Sequence, residues 1–406
     1  MLQRILKYLG KLIDLPGHLA AMRDHRRAPR IPTAVVIKSI LVMMLTRLGS
    51  FNALEESAAA RLWKKLLGRK LPSADTLGRV CQTLEADPIR RMIHAEYSRL
   101  KRLKALDPPS HGLIVAVVDG HETHATRHRC CSDCLKRTLK TKQGTVTEYY
   151  HRLVHILLVG KDLCFHLDAE PIRPGEDEVA AALRLLDRAC ADFPRAFDLV
   201  AGDGLYARAD FFNAVLAKGK HALAVLKDEQ RDLLKDARAL WETMQPTVRE
   251  ADHVTFEMWD AEGFTTWPQC TAPTLRVVRS RETTRIKRQL TKQVEEKVSD
   301  WTWVTTAPKA QASTRAVVTM GHGRWSVENQ GFNELVNRQD ADHVYKHDGN
   351  AILVLWLLTS FCANLFLTFY RRNLKPALQK AYTTLAIARQ ILGDLTGTLP
   401  LQPRAP

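Results

Sequence analysis

The sequence predicts an α/β protein, in which a layered core of strands and helices lies between two helical regions. Before about residue 108, apolar residues recur at helical spacings of three and four. Between residues 109 and 227, apolar runs of strand length alternate with amphipathic helical stretches, and helical stretches return late in the chain. The predicted units are a helical N-terminal region, a first core segment, a β-rich insertion and a second core segment with C-terminal helices: 1–108, 109–227, 228–310 and 311–400.

The N-terminal unit is predicted to hold helices at 35–48 and 76–106, with a short basic arm at 23–30 between helices. The second helix begins with capping chemistry around Ser73 and stops before Pro108. A helical bundle of this kind is typical either of a helix-turn-helix DNA-binding domain or of a cap that packs on the main domain. No recognition helix stands out, so both interpretations remain open.

The first core segment begins with a continuous apolar run at 113–118, which predicts a strand buried on both faces. The elements predicted after it are two strands joined by a turn at 160–162, then a helix, a strand, a helix and a strand: 149–159, 163–172, 176–191, 197–201, 208–217 and 221–226. This order matches the ribonuclease-H-like arrangement.

The insertion is predicted to contain strands at 253–259, 275–279 and 301–305. Eight basic residues lie between Arg276 and Lys297, which predicts an exposed basic loop that either contacts DNA or is simply solvated. The predicted closing helices are 323–337, 350–372 and 376–392.

Basic residues outnumber acidic ones by 60 to 44, which gives a formal net charge of +16. Such an excess favours a polyanionic partner, because neutralised phosphates release condensed counterions. A basic enzyme of another kind, or a ribosome-associated protein, would also carry it. Five of the eight cysteines are scattered and no secretory signal is apparent, so we expect a reducing cytoplasm.

Residues 351–369 carry no charge over 19 positions, which is near the minimum length of a membrane span. Thr359, Ser360 and Asn364 lie in the middle of this stretch. We therefore expect a helix buried inside the protein and no membrane partner.

Two acidic residues follow predicted strands in matching contexts. Asp119 is expected to terminate the first strand and precedes Gly120, while Asp203 terminates the fourth and precedes Gly204. Side chains at the carboxyl ends of neighbouring strands converge on one crevice, where two carboxylates suit a hard divalent cation.

A third carboxylate is expected from a helix after the β-rich block. Glu328 lies four residues after Arg324, so both fall on one helical face, whereas Glu334 faces away.

These contexts resemble the three motifs of DDE transposases from bacterial insertion sequences, in the group with a β-strand insertion before the catalytic Glu. The matching segments are Asp119-Gly120, Gly202-Asp203-Gly204-Leu205-Tyr206, Arg324-Trp325-x-x-Glu328 with Phe332, and the strand at 300–305. The likeness covers residues 112–370. It departs at Gly321, where the group often has Tyr, and at Leu335, where it has Lys or Arg; His322, Arg338 and Lys346 are candidate substitutes.

The resemblance implies that Asp119, Asp203 and Glu328 are catalytic and hold two Mg²⁺ or Mn²⁺ ions. The residues expected to contact DNA or its phosphates are Arg324, Trp325, Tyr206 and Lys346. The implied activity is cleavage at transposon ends followed by attack of the 3′-hydroxyl on target DNA. We expect double-stranded DNA as partner, a homodimer on that DNA, and a bacterial, nucleoid-associated location in the cytoplasm. The alternatives are a structure-specific nuclease of the same fold and a transposase-derived DNA-binding regulator without activity.

A cysteine and histidine cluster directly follows Asp119. Cys131 and Cys134 have the spacing of zinc ligands, and His124, His128 or His151 would complete a tetrahedral site. Two other interpretations are open, namely incidental thiols in an exposed basic loop and a redox-active pair.

Overall fold

The computed structural model describes residues 1–106, 112–142, 144–160, 163–227, 232–251, 253–287 and 293–397. Within these residues ten strands form a single mixed sheet. The strands are β1 (Val115–Thr126), β2 (Leu135–Thr141), β3 (Gly144–Val159), β4 (Cys164–Pro171), β5 (Leu199–Gly202), β6 (His221–Val225), β7 (Thr247–Ala251), β8 (Val254–Glu262), β9 (Arg276–Lys287) and β10 (Val294–Thr305).

Helices surround the sheet and make up both ends of the described chain. They are α1 (Leu2–Leu12), α2 (Leu15–Ala21), α3 (Thr33–Thr46), α4 (Phe51–Glu56), α5 (Arg61–Leu67), α6 (Ala74–Thr83), α7 (Asp87–Arg102), α8 (Glu178–Asp192), α9 (Ala209–Ala217), α10 (Asp232–Thr243), α11 (Thr314–Gly323), α12 (Gly349–Thr368), α13 (Pro376–Ala381) and α14 (Thr384–Thr396). Two π-helical segments, Val327–Asn337 and Phe369–Asn373, and two short 3₁₀ turns, Ser57–Ala59 and Gly204–Tyr206, complete the set.

The core of the sheet has the strand order β4-β3-β1-β5-β6. Strand β3 runs antiparallel to both β1 and β4, whereas β1, β5 and β6 are parallel to one another. Residues 115–118 of β1 are fully buried, which explains their unbroken apolar sequence. This topology confirms the predicted ribonuclease-H-like core.

The insertion continues the core sheet. Strand β10 pairs with β6, and β9, β8 and β7 follow in order. The predicted basic loop was therefore wrong over most of its length, because Arg276–Lys287 forms β9 and pairs along its length with β10. Cross-strand acids neutralise several of its charges: Arg279 Nε lies 2.9 Å from Asp300 Oδ1, and Arg285 Nε lies 3.0 Å from Glu296 Oε1. Residues 288–292 of the predicted loop lie outside the described residues.

Two predicted helices are each divided in the structure, and several elements of the structure were not predicted. The stretch 76–106 forms two helices, α6 and α7, with Pro88 in the first turn of the second. The stretch 376–392 likewise forms α13 and α14. Strands β2 and β7 and helix α10 were not predicted. In the 160–162 turn, residues 161 and 162 lie outside the described residues.

The long apolar helix α12 is buried in the protein, as predicted. The apolar stretch Gly349–Asn373 has the length and hydropathy of a membrane span, yet 89% of its most apolar window is buried. Helix α12 packs against β4, α3, α6 and α7. Its polar Asn364 accepts from the His166 amide at 2.8 Å and donates to the His166 carbonyl at 2.9 Å. The Asn364 side chain therefore satisfies both backbone hydrogen-bonding groups of His166 in β4.

The N-terminal helices pack directly on the C-terminal ones. Helices α1 and α3 contact α14, and the C-terminal end of α3 is tied to the π-helical segment Val327–Asn337. There Arg47 Nη2 lies 3.2 Å from Glu334 Oε1, with both side chains buried. The four-unit division and a DNA-binding role for residues 1–108 stay predictions.

Gly321 of α11 packs against the Trp303 side chain of β10, and this contact leaves no space for a side chain at Gly321. A Cβ atom at Gly321 would lie 2.4 Å from Trp303 Cε2 and Nε1. The Trp303 indole is itself buried in the core. Glycine is therefore required here by close approach.

We predict that Gly321→Ala lowers the free energy of unfolding by about 1–3 kcal/mol, because the added methyl overpacks the core against Trp303. Gly323→Ala is the matched control: a Cβ there meets nothing within 4 Å, so stability should stay the same or rise slightly. Urea denaturation of both variants and the wild type measures the effect. Equal stability of the two variants would contradict the prediction.

Candidate active site

Asp119 and Asp203 lie at matching positions on adjacent parallel strands. Val117 of β1 is in register with Ala201 of β5, and each acid lies two residues further along its strand. Neighbouring strands are about 4.8 Å apart, so the two carboxylates emerge side by side. The expectation that Asp119 terminates its strand was wrong: β1 continues to Thr126, because β3 remains paired with it. The strand instead leaves the fully buried core at Asp119.

Asp203 directly follows β5 and begins a 3₁₀ turn. Its Oδ1 accepts a hydrogen bond from the Leu205 amide at 2.8 Å, which fixes the carboxylate at the sheet edge. The Tyr206 ring then folds back onto Gly202, where a Cβ atom would lie 2.6 Å from Tyr206 Cδ2. The Gly-Asp-Gly-Leu-Tyr sequence thus forms a compact turn around the acid.

Arg324 lies between Asp119 and Glu328. Its Nη1 is 4.0 Å from Asp119 Oδ2 and 3.5 Å from Glu328 Oε1. Its guanidinium is buried and stacks on Trp325, 4.4 Å from the ring centroid. Glu328 lies in the first turn of the π-helical segment, and its side chain is 42% exposed. The Arg324 guanidinium therefore brings the carboxylate of Glu328 close to that of Asp119.

The cluster carries a surplus of negative charge that acts on Asp119. Burial, together with the nearby carboxylates of Asp203, Glu178 and Glu328, raises the pKa of Asp119 to about 7, against the lowering effect of Arg324. Two of these acids, Asp203 and Glu328, were predicted to lie with Asp119, and both contribute to the raised pKa. A site of this kind favours a bound proton or a cation.

Glu178 is a fourth carboxylate that the sequence did not indicate. It accepts a hydrogen bond from Tyr206 Oη at 2.9 Å and one from Arg152 Nη2 at 2.7 Å. It lies directly on Gly120, where a Cβ would be 2.1 Å from Glu178 Oε2. Glu178 lies in the first turn of α8, and nothing in the sequence spacing there indicated that this acid turns inward.

The other three residues predicted to contact DNA differ in their exposure and in their distance from the acidic cluster. Trp325 is 36% exposed and lies edge-on to Trp301. Tyr206 is fully buried, and its hydroxyl is used by Glu178, so this placement favours support of the acidic cluster over contact with a phosphate. Lys346 is half-buried against Gly78 of α6. In the described part of the chain, no contact joins Lys346 to the acidic residues.

The departures from the resembled motif have packing explanations. At Gly321 the Trp303 indole occupies the space that a Tyr would need. Leu335 is fully buried, so a Lys or Arg there would have to enter the core. Two of the candidate substitutes have acidic partners instead: His322 Nε2 lies 2.6 Å from Glu282 Oε1, and Arg338 pairs with Glu334.

The cysteine and histidine cluster contains one of the three candidate histidines, His151, together with His347, which was not a candidate. Cys131, Cys134, His151 and His347 have ligand atoms that all lie within 4.8 Å of one another. His124 and His128, the histidines predicted first, are not among the four. Nε2 of His124 lies 3.2 Å from His347 Nδ1, and His128 is exposed. His347 was missed, because no local pattern connects it to the two cysteines.

The chain matches the model of a known protein family. A family model described as the transposase DDE domain matches residues 110–365, which is more than half of the 406-residue chain. Among curated proteins, none matches significantly.

The raised pKa of Asp119 predicts a pH-dependent loss of stability in the metal-free protein. An acid whose pKa is raised in the folded state binds more protons when folded, so stability falls as pH rises from about 4 to about 7. Asp119→Asn removes this dependence. At pH 8 in EDTA, the variant should exceed the wild type by about 2–3 kcal/mol in free energy of unfolding, and at pH 4 they should differ little.

Urea denaturation across this pH range tests the effect. Asp236→Asn, at an exposed position on α10, is the control and should follow the wild type at every pH. A difference between Asp119→Asn and the wild type that stays constant with pH would rule out the proposed ionisation.

Proposed function

The chain belongs to the transposase DDE-domain family, and we propose that it cleaves DNA at transposon ends and joins the freed 3′-hydroxyl to target DNA. Transposases of this family bind, cleave and join DNA, and they generally use a divalent metal ion. In this proposal Asp119, Asp203 and Glu328 are the catalytic residues. The observation that carries it is the position of Arg324, within 4.0 Å of Asp119 and 3.5 Å of Glu328, beside the strand pair that bears Asp203.

The donor set suits magnesium or manganese. Asp119, Asp203 and Glu328 offer carboxylate oxygens, the ligands that Mg²⁺ prefers, and their mutual repulsion makes a cation favourable. We propose that these three residues hold two ions. When bound, such ions activate the attacking oxygen and stabilise the leaving oxygen in a phosphoryl transfer.

The chain's own side chains orient this site. Arg324 is held by its stacking on Trp325, and it fixes the otherwise exposed Glu328 carboxylate toward Asp119. Glu178 is proposed as a positioning residue, because Tyr206 and Arg152 hold it against the backbone beside Asp119.

DNA contact is proposed for the exposed rim of the site. Trp325 is partly exposed next to Glu328, and the chain carries a net charge of +16, which supports binding to a phosphate backbone. Arg324 carries a positive charge at the same place. Two copies acting together on paired ends are also part of the proposal, and the mass of the protein–DNA complex tests it.

We predict that Asp203→Asn and Glu328→Gln each lower DNA cleavage by at least about 100-fold, because each removes a negative charge that holds the proposed metal ions. The substrate is labelled duplex DNA carrying the sequences that flank the gene, incubated with Mg²⁺ or Mn²⁺. A supercoiled plasmid in the same reaction reports strand transfer. Asp236→Asn, at its exposed position, is the control and should retain full activity.

Each outcome discriminates between functions. Cleavage and joining that both require the acids support the transposase. Cleavage without joining would instead indicate a structure-specific nuclease, and specific binding without cleavage would indicate a regulator. Undiminished cleavage by Asp203→Asn would contradict the assignment of the site.

A further inference from the structure

We propose that Cys131, Cys134, His151 and His347 bind a structural zinc ion that fastens the segment before α12 to the strands of the core. The two cysteines lie in the loop between β1 and β2, His151 lies on β3, and His347 lies just before α12. None of these four residues belongs to the acidic cluster, so the proposal stands apart from the catalytic one.

The distances between the ligand atoms fit tetrahedral zinc. Cys131 Sγ and Cys134 Sγ are 3.6 Å apart, and His151 Nε2 lies 3.3 Å from each sulfur. His347 Nε2 lies 3.3 Å from Cys134 Sγ. Zinc–sulfur bonds of about 2.3 Å and zinc–nitrogen bonds of about 2.0 Å imply tetrahedral edges of roughly 3.3–3.8 Å. These four distances match the edges of one small tetrahedron, and all four ligand atoms lie within 4.8 Å of one another.

The hydrogen bonds around His347 agree with a metal on its Nε2. Such a histidine carries its proton on Nδ1 and donates it to an outer partner. Here Nδ1 of His347 faces Nε2 of His124 at 3.2 Å. His124 then accepts at Nε2 and donates from Nδ1 to Thr123 Oγ1 at 3.2 Å, and Thr123 donates to the carbonyl of His151 at 3.4 Å. Every donor in this chain meets an acceptor, and the chain returns to a second ligand.

The alternative of a redox-active cysteine pair explains less of the arrangement. A disulfide would account for the two sulfurs but not for two imidazole nitrogens directed at them. Exposed incidental thiols are also disfavoured, because Cys134 is buried.

The ion would secure the connection between the π-helical segment that bears Glu328 and the core of the protein. His347 immediately precedes Asp348, whose Oδ1 caps α12 by accepting from the Ala351 amide at 3.0 Å. Asp133, inside the cysteine turn, lies on Gly349, where a Cβ would be 2.5 Å from its Oδ2. Zinc would therefore hold residues 338–348, which follow the segment bearing Glu328, against the loop that follows β1.

The test is the metal content of tag-free, full-length protein prepared without chelators. We expect about one zinc ion per chain in the wild type, with loss of most of it in Cys134→Ser and His347→Ala. Cys130→Ser and His128→Ala are matched controls at exposed neighbouring positions, and both should keep their zinc. Circular dichroism identifies any variant that fails to fold.

A second measurement uses the wild type alone and so does not depend on how the variants fold. Zinc is removed with a chelator and replaced by Co²⁺, which should give the visible absorption of a tetrahedral thiolate site. Hydrogen exchange should accelerate in residues 338–348 when the metal is removed. A wild type without zinc that also gives no such Co²⁺ spectrum overturns the proposal. Equal loss of zinc in Cys130→Ser and Cys134→Ser overturns this ligand set.

Discussion

The parallel pairing of β1 with β5 is the constraint on which the rest of the site depends. It sets Val117 level with Ala201 and so brings two carboxylates to one edge of the sheet. Burial of like charges is unfavourable, and the structure compensates for it from outside this strand pair. Arg324 approaches from the end of α11, and Arg152 neutralises Glu178 from β3. Basic side chains from α11 and β3 therefore offset the negative charge that the pairing of β1 with β5 brings together.

The sequence was most informative where local pattern and tertiary position coincide. The apolar run before Asp119 predicts a central strand because only a strand buried on both faces requires such residues. The short turn at Asp203 is equally local. In both cases the residues that determine the local structure are adjacent in the chain. The positions of Asp119 and Asp203 could therefore be predicted from local sequence.

The rest could not be predicted because its partners are distant. His347 reaches Cys134 across 213 positions, and Glu178 reaches Tyr206 across 28. The basic stretch after Arg276 was mistaken for a loop because its neutralising acids, such as Asp300, lie on a strand that follows later. Gly321 shows the same limit, since its meaning depends on the Trp303 indole from another element.

The way the insertion joins the sheet has a consequence for synthesis of the chain. Strand β10 covers the free edge of β6, but the ribosome makes β10 only after the earlier strands of the insertion. Until then a nascent chain presents unpaired backbone groups along β6, the kind of edge that invites aggregation. Closing it requires a contact of high sequence separation, which slows folding. Translation speed through residues 228–293 thus sets how long that vulnerable intermediate persists.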